Sequence, residues 1–368
     1  MIVFLFLCLA MLLLLVFMYT NTIITISHSK VYLSYGLILG SMFCILYLCL
    51  LAKEDLMQSD MIAYFYNLKN VHSLTQTYSI VEIINQNIFE KGFTLLQVFL
   101  GEFVDNVQFY GILMYGFNLA LLLLAAVRCF GLETVPFVMI QYIFFNIFNT
   151  ISLIVVRQGL AIGILVLALA NYLTGKKKFS IVLMLIAAQF HSTAYLMVLA
   201  ILVIEIFKIN LNLLLFFWGV SSVLYITGWN QILVEHLPFN SQYLANYTGE
   251  LWTGQSAIYG QTPNSLKYLI YSAVFLFVML IFQRFFLKND VGALLLMRVY
   301  VVWNTLFLIL GFVAFSSRIA LYSWMLLPFI LFYVFWTSSS LKNYYPLLLI
   351  LWILIGLKNL PIFGWIAG

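Results

Sequence analysis

Apolar runs long enough to cross a bilayer recur from one end of the chain to the other, most of them separated by brief polar interruptions, and few folds accommodate that pattern. The blocks fall at 1–18, 31–52, 108–127, 135–150, 158–174, 179–190, 192–207, 211–229, 266–287, 293–315, 319–336 and 345–361. A spanning helix needs about 20 predominantly apolar residues. The sequence therefore predicts an all-α integral membrane protein with about 12 membrane helices, some short or re-entrant. Composition agrees: 65% of the 368 residues are hydrophobic and 8% charged, mean hydropathy is +1.08, and soluble domains average about 25% charged residues. A single polytopic domain over 1–368 is expected, so any chemistry must sit in the bundle or its loops. The first block has no basic residue before it and no small-residue cleavage site after it, and is read as a retained helix.

The charges orient the bundle. The blocks at 179–190 and 192–207 could form one long tilted helix or two helices with a turn at His191. Cytoplasmic loops collect Lys and Arg, which favours the turn. One side then carries Lys30, Arg128, Lys176, Lys177, Lys178, Lys208, Arg284, Lys288, Arg298 and Lys342, and the other Lys53, Lys69, Lys91, Arg157, Lys267, Arg318 and Lys358. With this topology the two long polar segments, at about 53–107 and 230–267, both face outward, together with Arg157, His191 and Arg318. The outer face is where polar groups from distant parts of the chain can meet. Within the first segment, 80–103 has a rough amphipathic period (Ile80, Ile83, Ile84, Ile88, Phe93, Leu95, Leu96, Phe99) and is expected to lie along the membrane surface.

Several residues could carry chemistry there. Arg157 and Arg318 stand at the starts of apolar blocks, where burying a charge is costly and a functional role is the default hypothesis, although a helix-end arginine can also simply snorkel. Their planar forks suit phosphate oxygens. His191 is a lone imidazole in an apolar stretch, readable as a base or as a hydrogen-bonded structural residue; Asp60 and Glu90 are the acids of interest in the first polar segment. Tyr243 and Tyr247 in the second segment could stack on sugars, but equally anchor the interface. The four cysteines lie in or beside apolar blocks without metal-ligand spacing and are assigned to packing. Scattered basic residues give no nucleic-acid footprint. The chain also lacks an Asp-x-Asp pair, a Gly-rich phosphate loop, a His-x-x-x-His pair and a Gly-x-Ser-x-Gly elbow, so neither a metal nor a cofactor is expected.

Particular stretches resemble a known family. Val156-Arg157-Gln158-Gly159-Leu160-Ala161 opens a helix, Lys176 to Lys178 make a basic turn, and Gln189-Phe190-His191-Ser192-Thr193-Ala194 follows. Looser echoes are Ser59-Asp60 with Tyr64, Glu90-Lys91-Gly92-Phe93 with Leu95 and Leu96, and Ser317-Arg318 with Tyr322. Together they resemble the EpsG branch of Wzy-type polysaccharide polymerases of O-antigen, capsule and exopolysaccharide biosynthesis. The family's usual Asp-Tyr pairing here reads Asp60-Met61.

The resemblance implies a multi-pass protein of the bacterial cytoplasmic membrane with a GT-C-like glycosyltransferase architecture. It would polymerise undecaprenyl-pyrophosphate-linked oligosaccharide repeats on the outer face by metal-independent transfer. His191, Glu90 and Asp60 are then candidates for catalysis; Arg157, Arg318 and Gln158 for pyrophosphate; and Tyr64, Tyr243, Tyr247 and Tyr322 for sugar. Membrane lipid, a chain-length regulator and the pathway's flippase are the implied partners. Two other readings stay open at this point: a flippase or transporter for the same lipid-linked sugar, and an O-antigen-ligase-like transferase.

Overall fold

The computed structural model describes residues 60–235, 263–313 and 315–358. The apolar blocks at 1–18 and 31–52, the residues Tyr243 and Tyr247, and most of the second polar segment lie outside the described residues. The described residues are mostly helical and divide into two compact units, those up to 195 together with those from 335 onward, and those of 196–334.

In the first unit α1 (Asp60–Leu74), α2 (Ile80–Gln86) and α3 (Lys91–Leu100) precede α4 (Val107–Phe130). Next come α5 (Val135–Ile143), α6 (Asn146–Leu153), α7 (Val156–Leu173) and α8 (Lys177–Ala188). The unit also holds the start of α9 (Thr193–Ile206), the end of α15 (Leu326–Thr337) and α16 (Tyr345–Lys358). In the second unit the rest of α9 is followed by α10 (Leu211–Thr227), α11 (Trp229–Glu235), α12 (Leu266–Phe286), α13 (Val291–Ile309) and α14 (Ser316–Trp324).

Helices α4, α7, α12 and α13, and the run 316–337, are long and apolar enough to cross a membrane. Their outward-facing side chains are large and apolar: Leu124, Val274 and Phe277 are all more than half exposed. Water would penalise such surfaces; lipid does not. The protein is a multi-pass membrane protein.

The structure corrects several sequence-based boundaries. The block at 135–150 is two helices, α5 and α6, broken at Phe144 and Phe145, and neither is long enough for a span. Both phenylalanines are buried, so the irregular backbone is screened by protein. The run 319–336 is interrupted at Met325, where Pro328 cannot donate to the carbonyl of Trp324. The stretch 80–103 is not one surface helix: Ser79 closes a capping box with Glu82, α2 ends at Gln86, and the chain extends through Asn87 to Glu90 before α3 begins. The turn expected at His191 is present, between Ala188 and Thr193.

Close approach of α4 and α7 depends on small residues. Gly159 and Gly163, four apart on α7, face Asn118 of α4, and a Cβ on either would come within 3 Å of it. Asn118 donates to Ser152 of α6 at 3.0 Å, tying a third helix to the pair. In the second unit Asn304 plays the comparable part: fully buried on α13, it accepts from Trp218 at 2.8 Å and donates to Ser272 and Ser323. Arg298 pairs with Glu205 at 3.1 Å, joining α13 to α9.

Candidate active site

The site grows from the break between α2 and α3. Asn87 accepts from the N–H of Phe89 at 2.9 Å and donates to Asn67 of α1 at 3.3 Å, pinning the extended link. Glu90 occupies the N-cap of α3 with extended backbone angles, yet its side chain does not cap that helix. It reaches instead to two other parts of the chain. One carboxylate oxygen accepts from Arg157 Nη1 at 2.5 Å, and the other accepts from the backbone N–H of Ser192 at 3.0 Å.

A second bond clamps the same segments. The N–H of Gly92, one of the orphan donors of a helix first turn, bonds to the carbonyl of Gln189 at 2.9 Å. A Cβ on Gly92 would stand 2.8 Å from that carbonyl oxygen, so the approach needs glycine. Stretches 90–93 and 189–192, a hundred residues apart, are thus stitched side by side.

Arg157 enters from the first turn of α7, its guanidinium carbon 4.5 Å above the Phe89 ring and 5.5 Å from that of Tyr64. Tyr64, Phe89 and Phe93 meet edge to face beneath it. Gln97 fixes this floor by donating to the carbonyl of Tyr64 at 3.0 Å. The side chains of Arg157 and Glu90 are 23% and 18% exposed, a pair neither solvated nor sealed. Arg157 Nε is buried without a partner, so the fork is only partly used. Burial alone would raise the Glu90 pKa. The Arg157 charge and the backbone N–H donors, including that of Ser192, hold the carboxyl below the usual carboxylate range nonetheless.

His191 is half-buried in the turn. Its Nδ1 accepts the N–H of Thr193 at 3.2 Å and lies 2.8 Å from the Thr193 hydroxyl. A backbone N–H can only donate, so Nδ1 presents its lone pair and the neutral ring carries its proton on Nε2. In that tautomer the imidazole offers a donor, not a base.

Of the residues picked out from sequence, the structure brings together Glu90, Arg157, Tyr64 and the turn bearing His191. Gln158 is buried next to Arg157 in sequence. Asp60 is exposed at the start of α1, one turn before Tyr64. Arg318 lies in the second unit, in the first turn of α14, 4.8 Å from the Phe315 ring. Phe315 itself has φ 58°, a left-handed conformation costly for a bulky residue. Tyr322 is fully buried against Trp303, 6.0 Å between ring centres, and is part of the packing. Sequence reasoning missed Phe89 and Ser192 as partners, because an aromatic shelf and a backbone donor carry no spacing signal. It also missed Gly159-x-x-x-Gly163, which was there to be read.

The EpsG family model matches residues 37–360, spanning all of these stretches. The chain belongs to the EpsG family. No curated protein and no solved structure matches it. Within that span 90–93, 157 and 189–192 are in direct contact through Glu90 and Gly92.

Proposed function

We propose that this EpsG-family protein is a membrane glycosyltransferase of GT-C-like architecture. It polymerises undecaprenyl-pyrophosphate-linked oligosaccharide repeats into surface polysaccharide on the outer face of a bacterial cytoplasmic membrane. The observation that carries this reading is the half-buried Glu90–Arg157 pair, set beside the His191 turn at the start of a membrane helix. In such a transfer the acceptor hydroxyl oxygen bonds to the anomeric carbon, and the bond from that carbon to the pyrophosphate breaks. Negative charge then develops on the leaving pyrophosphate, and a guanidinium at the lipid boundary stabilises it through charge-assisted hydrogen bonds. Arg157 is the proposed ligand, with Gln158 beside it and Arg318 as a further pyrophosphate-binding cation. Glu90, His191 and Asp60 are the polar groups for the acceptor, and Tyr64 backs the site. A chain-length regulator and a flippase of the same pathway are the expected partners.

Deleting the gene and sizing the polysaccharide tests the function. Loss of long chains with single lipid-linked repeats retained outside supports a polymerase. Repeats accumulating on the cytoplasmic leaflet would make the protein a flippase, and long lipid-linked chains that fail to reach their final acceptor would make it a ligase. The side is tested separately: a thiol introduced at Gln76, an exposed position, should be blocked by an impermeant reagent in intact cells, and blocking only after permeabilisation reverses the topology.

His191 is expected to act through its Nε2–H. His191→Asn keeps an acceptor for the Thr193 N–H but removes that donor, so it should unfold at the wild-type temperature yet lose roughly 100-fold in turnover. Wild-type turnover in a stable His191→Asn protein would take the imidazole out of the chemistry.

A further inference from the structure

The cation best placed to bind pyrophosphate is already neutralised. Arg157 Nη1 is bonded to Glu90, while its Nε is buried without an acceptor. Glu90 is held twice, by Arg157 through one oxygen and by the Ser192 N–H through the other. If Arg157 is withdrawn, the second bond still tethers the carboxylate at the His191 turn. Gly92 keeps that turn in place independently, through its bond to Gln189.

A pyrophosphate offers what Glu90 does not: several oxygens of higher charge, able to engage the fork on two prongs. Ion-pair exchange at Arg157 is therefore favourable when such a ligand arrives. We propose that the pyrophosphate of the lipid-linked donor displaces Glu90 from Arg157, and that the released carboxylate, still tethered by Ser192, is the general base for the acceptor hydroxyl. This rests on reading Arg157 as the pyrophosphate ligand.

The exchange changes what Glu90 can do. Beside a guanidinium a carboxylate is a poor proton acceptor; beside a phosphate anion its proton affinity rises. The hydroxyl proton passes to Glu90 as the oxygen bonds to the anomeric carbon. The electron pair of the breaking carbon–oxygen bond stays on the pyrophosphate, held by Arg157, and Glu90 then gives its proton to the departing pyrophosphate or to solvent. His191, with Nδ1 occupied by Thr193 and its proton on Nε2, donates to a substrate oxygen and does not compete for the role of base. The base is thereby armed only when a leaving group is seated, which guards the site against activating water when it is empty.

The test is binding of geranyl pyrophosphate, a short lipid pyrophosphate, to the purified full-length protein in detergent. Glu90→Gln removes the internal competitor and should bind at least about fivefold tighter than wild type, while polymerisation falls by roughly 100-fold or more. In an Arg157→Gln background the same substitution should bring no gain. Equal or weaker binding by a Glu90→Gln protein of wild-type thermal stability overturns the exchange. Should Glu90→Gln not fold, Glu90→Asp, too short to span from Ser192 to Arg157, must bind tighter, and wild-type affinity there also overturns it. A wild-type protein that does not bind geranyl pyrophosphate at all removes Arg157 as a pyrophosphate ligand, and the exchange with it, an outcome distinct from either.

Discussion

Arg157→Lys is expected to lose polymerisation by roughly 100-fold or more, the scale of removing one preorganised donor from a charge-stabilising site, while unfolding at the wild-type temperature. Lysine keeps a positive charge within reach of Glu90, so the half-buried carboxylate is not left alone. What it loses is the planar fork, its stacking on Phe89, and the second donor direction supplied by Nε. Arg157→Ala should behave differently. It leaves Glu90 without its cation, held by backbone N–H donors including that of Ser192, and breaking a pair of this kind by removing one partner costs up to about 3 kcal/mol for a partly exposed site. Thermal unfolding of the purified variants alongside an in-cell polysaccharide ladder separates the two effects. Full activity in Arg157→Lys would remove the fork from the mechanism. Arg318→Lys is expected to impair polymerisation too, and full activity there would remove Arg318.

Gly159→Ala should destabilise the protein by about 1–3 kcal/mol, a large effect for one methyl group. The added Cβ would stand 2.4 Å from the carbonyl oxygen of Ile151 and 2.6 Å from Asn118 Nδ2. The first of these is backbone and cannot swing aside, so α6 and α7 must move apart. Arg157 is two residues away on α7, and activity should fall with stability. Gly116 on α4 is the control: apart from the neighbouring backbone of its own helix, nothing lies within 4 Å of its would-be Cβ, so Gly116→Ala should be neutral or slightly stabilising, since alanine favours helix. Unfolding midpoints in detergent decide it. A Gly159→Ala protein as stable as Gly116→Ala would show that α6 and α7 do not pack this closely.

Much of the site was legible as residue types and hidden as partnerships. Arg157, Glu90 and His191 stand out because a charge or an imidazole in an apolar chain is expensive and therefore noticeable. Helix α1 was legible but unread: Met61, Tyr64, Leu68 and Val71 recur at helical spacing and are all buried. That Glu90 is the partner of Arg157 was not legible. The pairing spans 67 positions, and nothing in local periodicity ranks Glu90 above Glu82, which instead caps its own helix. Nor could sequence choose the His191 tautomer, which follows from the Thr193 N–H pointing at Nδ1.

Hydropathy alone is enough to make this a membrane protein built on helices, because lipid offers backbone groups no partner outside the helix and apolar blocks recur along the chain. The turn at His191 is determined by the sequence as well, through the placement of its basic residues. Where blocks break and which polar groups meet are set by packing instead. Phe144 and Phe145 can leave the helix where surrounding protein buries them, and Glu90 reaches the Ser192 N–H where Gly92 lets two segments touch. Hydropathy is summed along a chain and so survives in the sequence, whereas a charge pair is set by distance in space, which packing alone fixes.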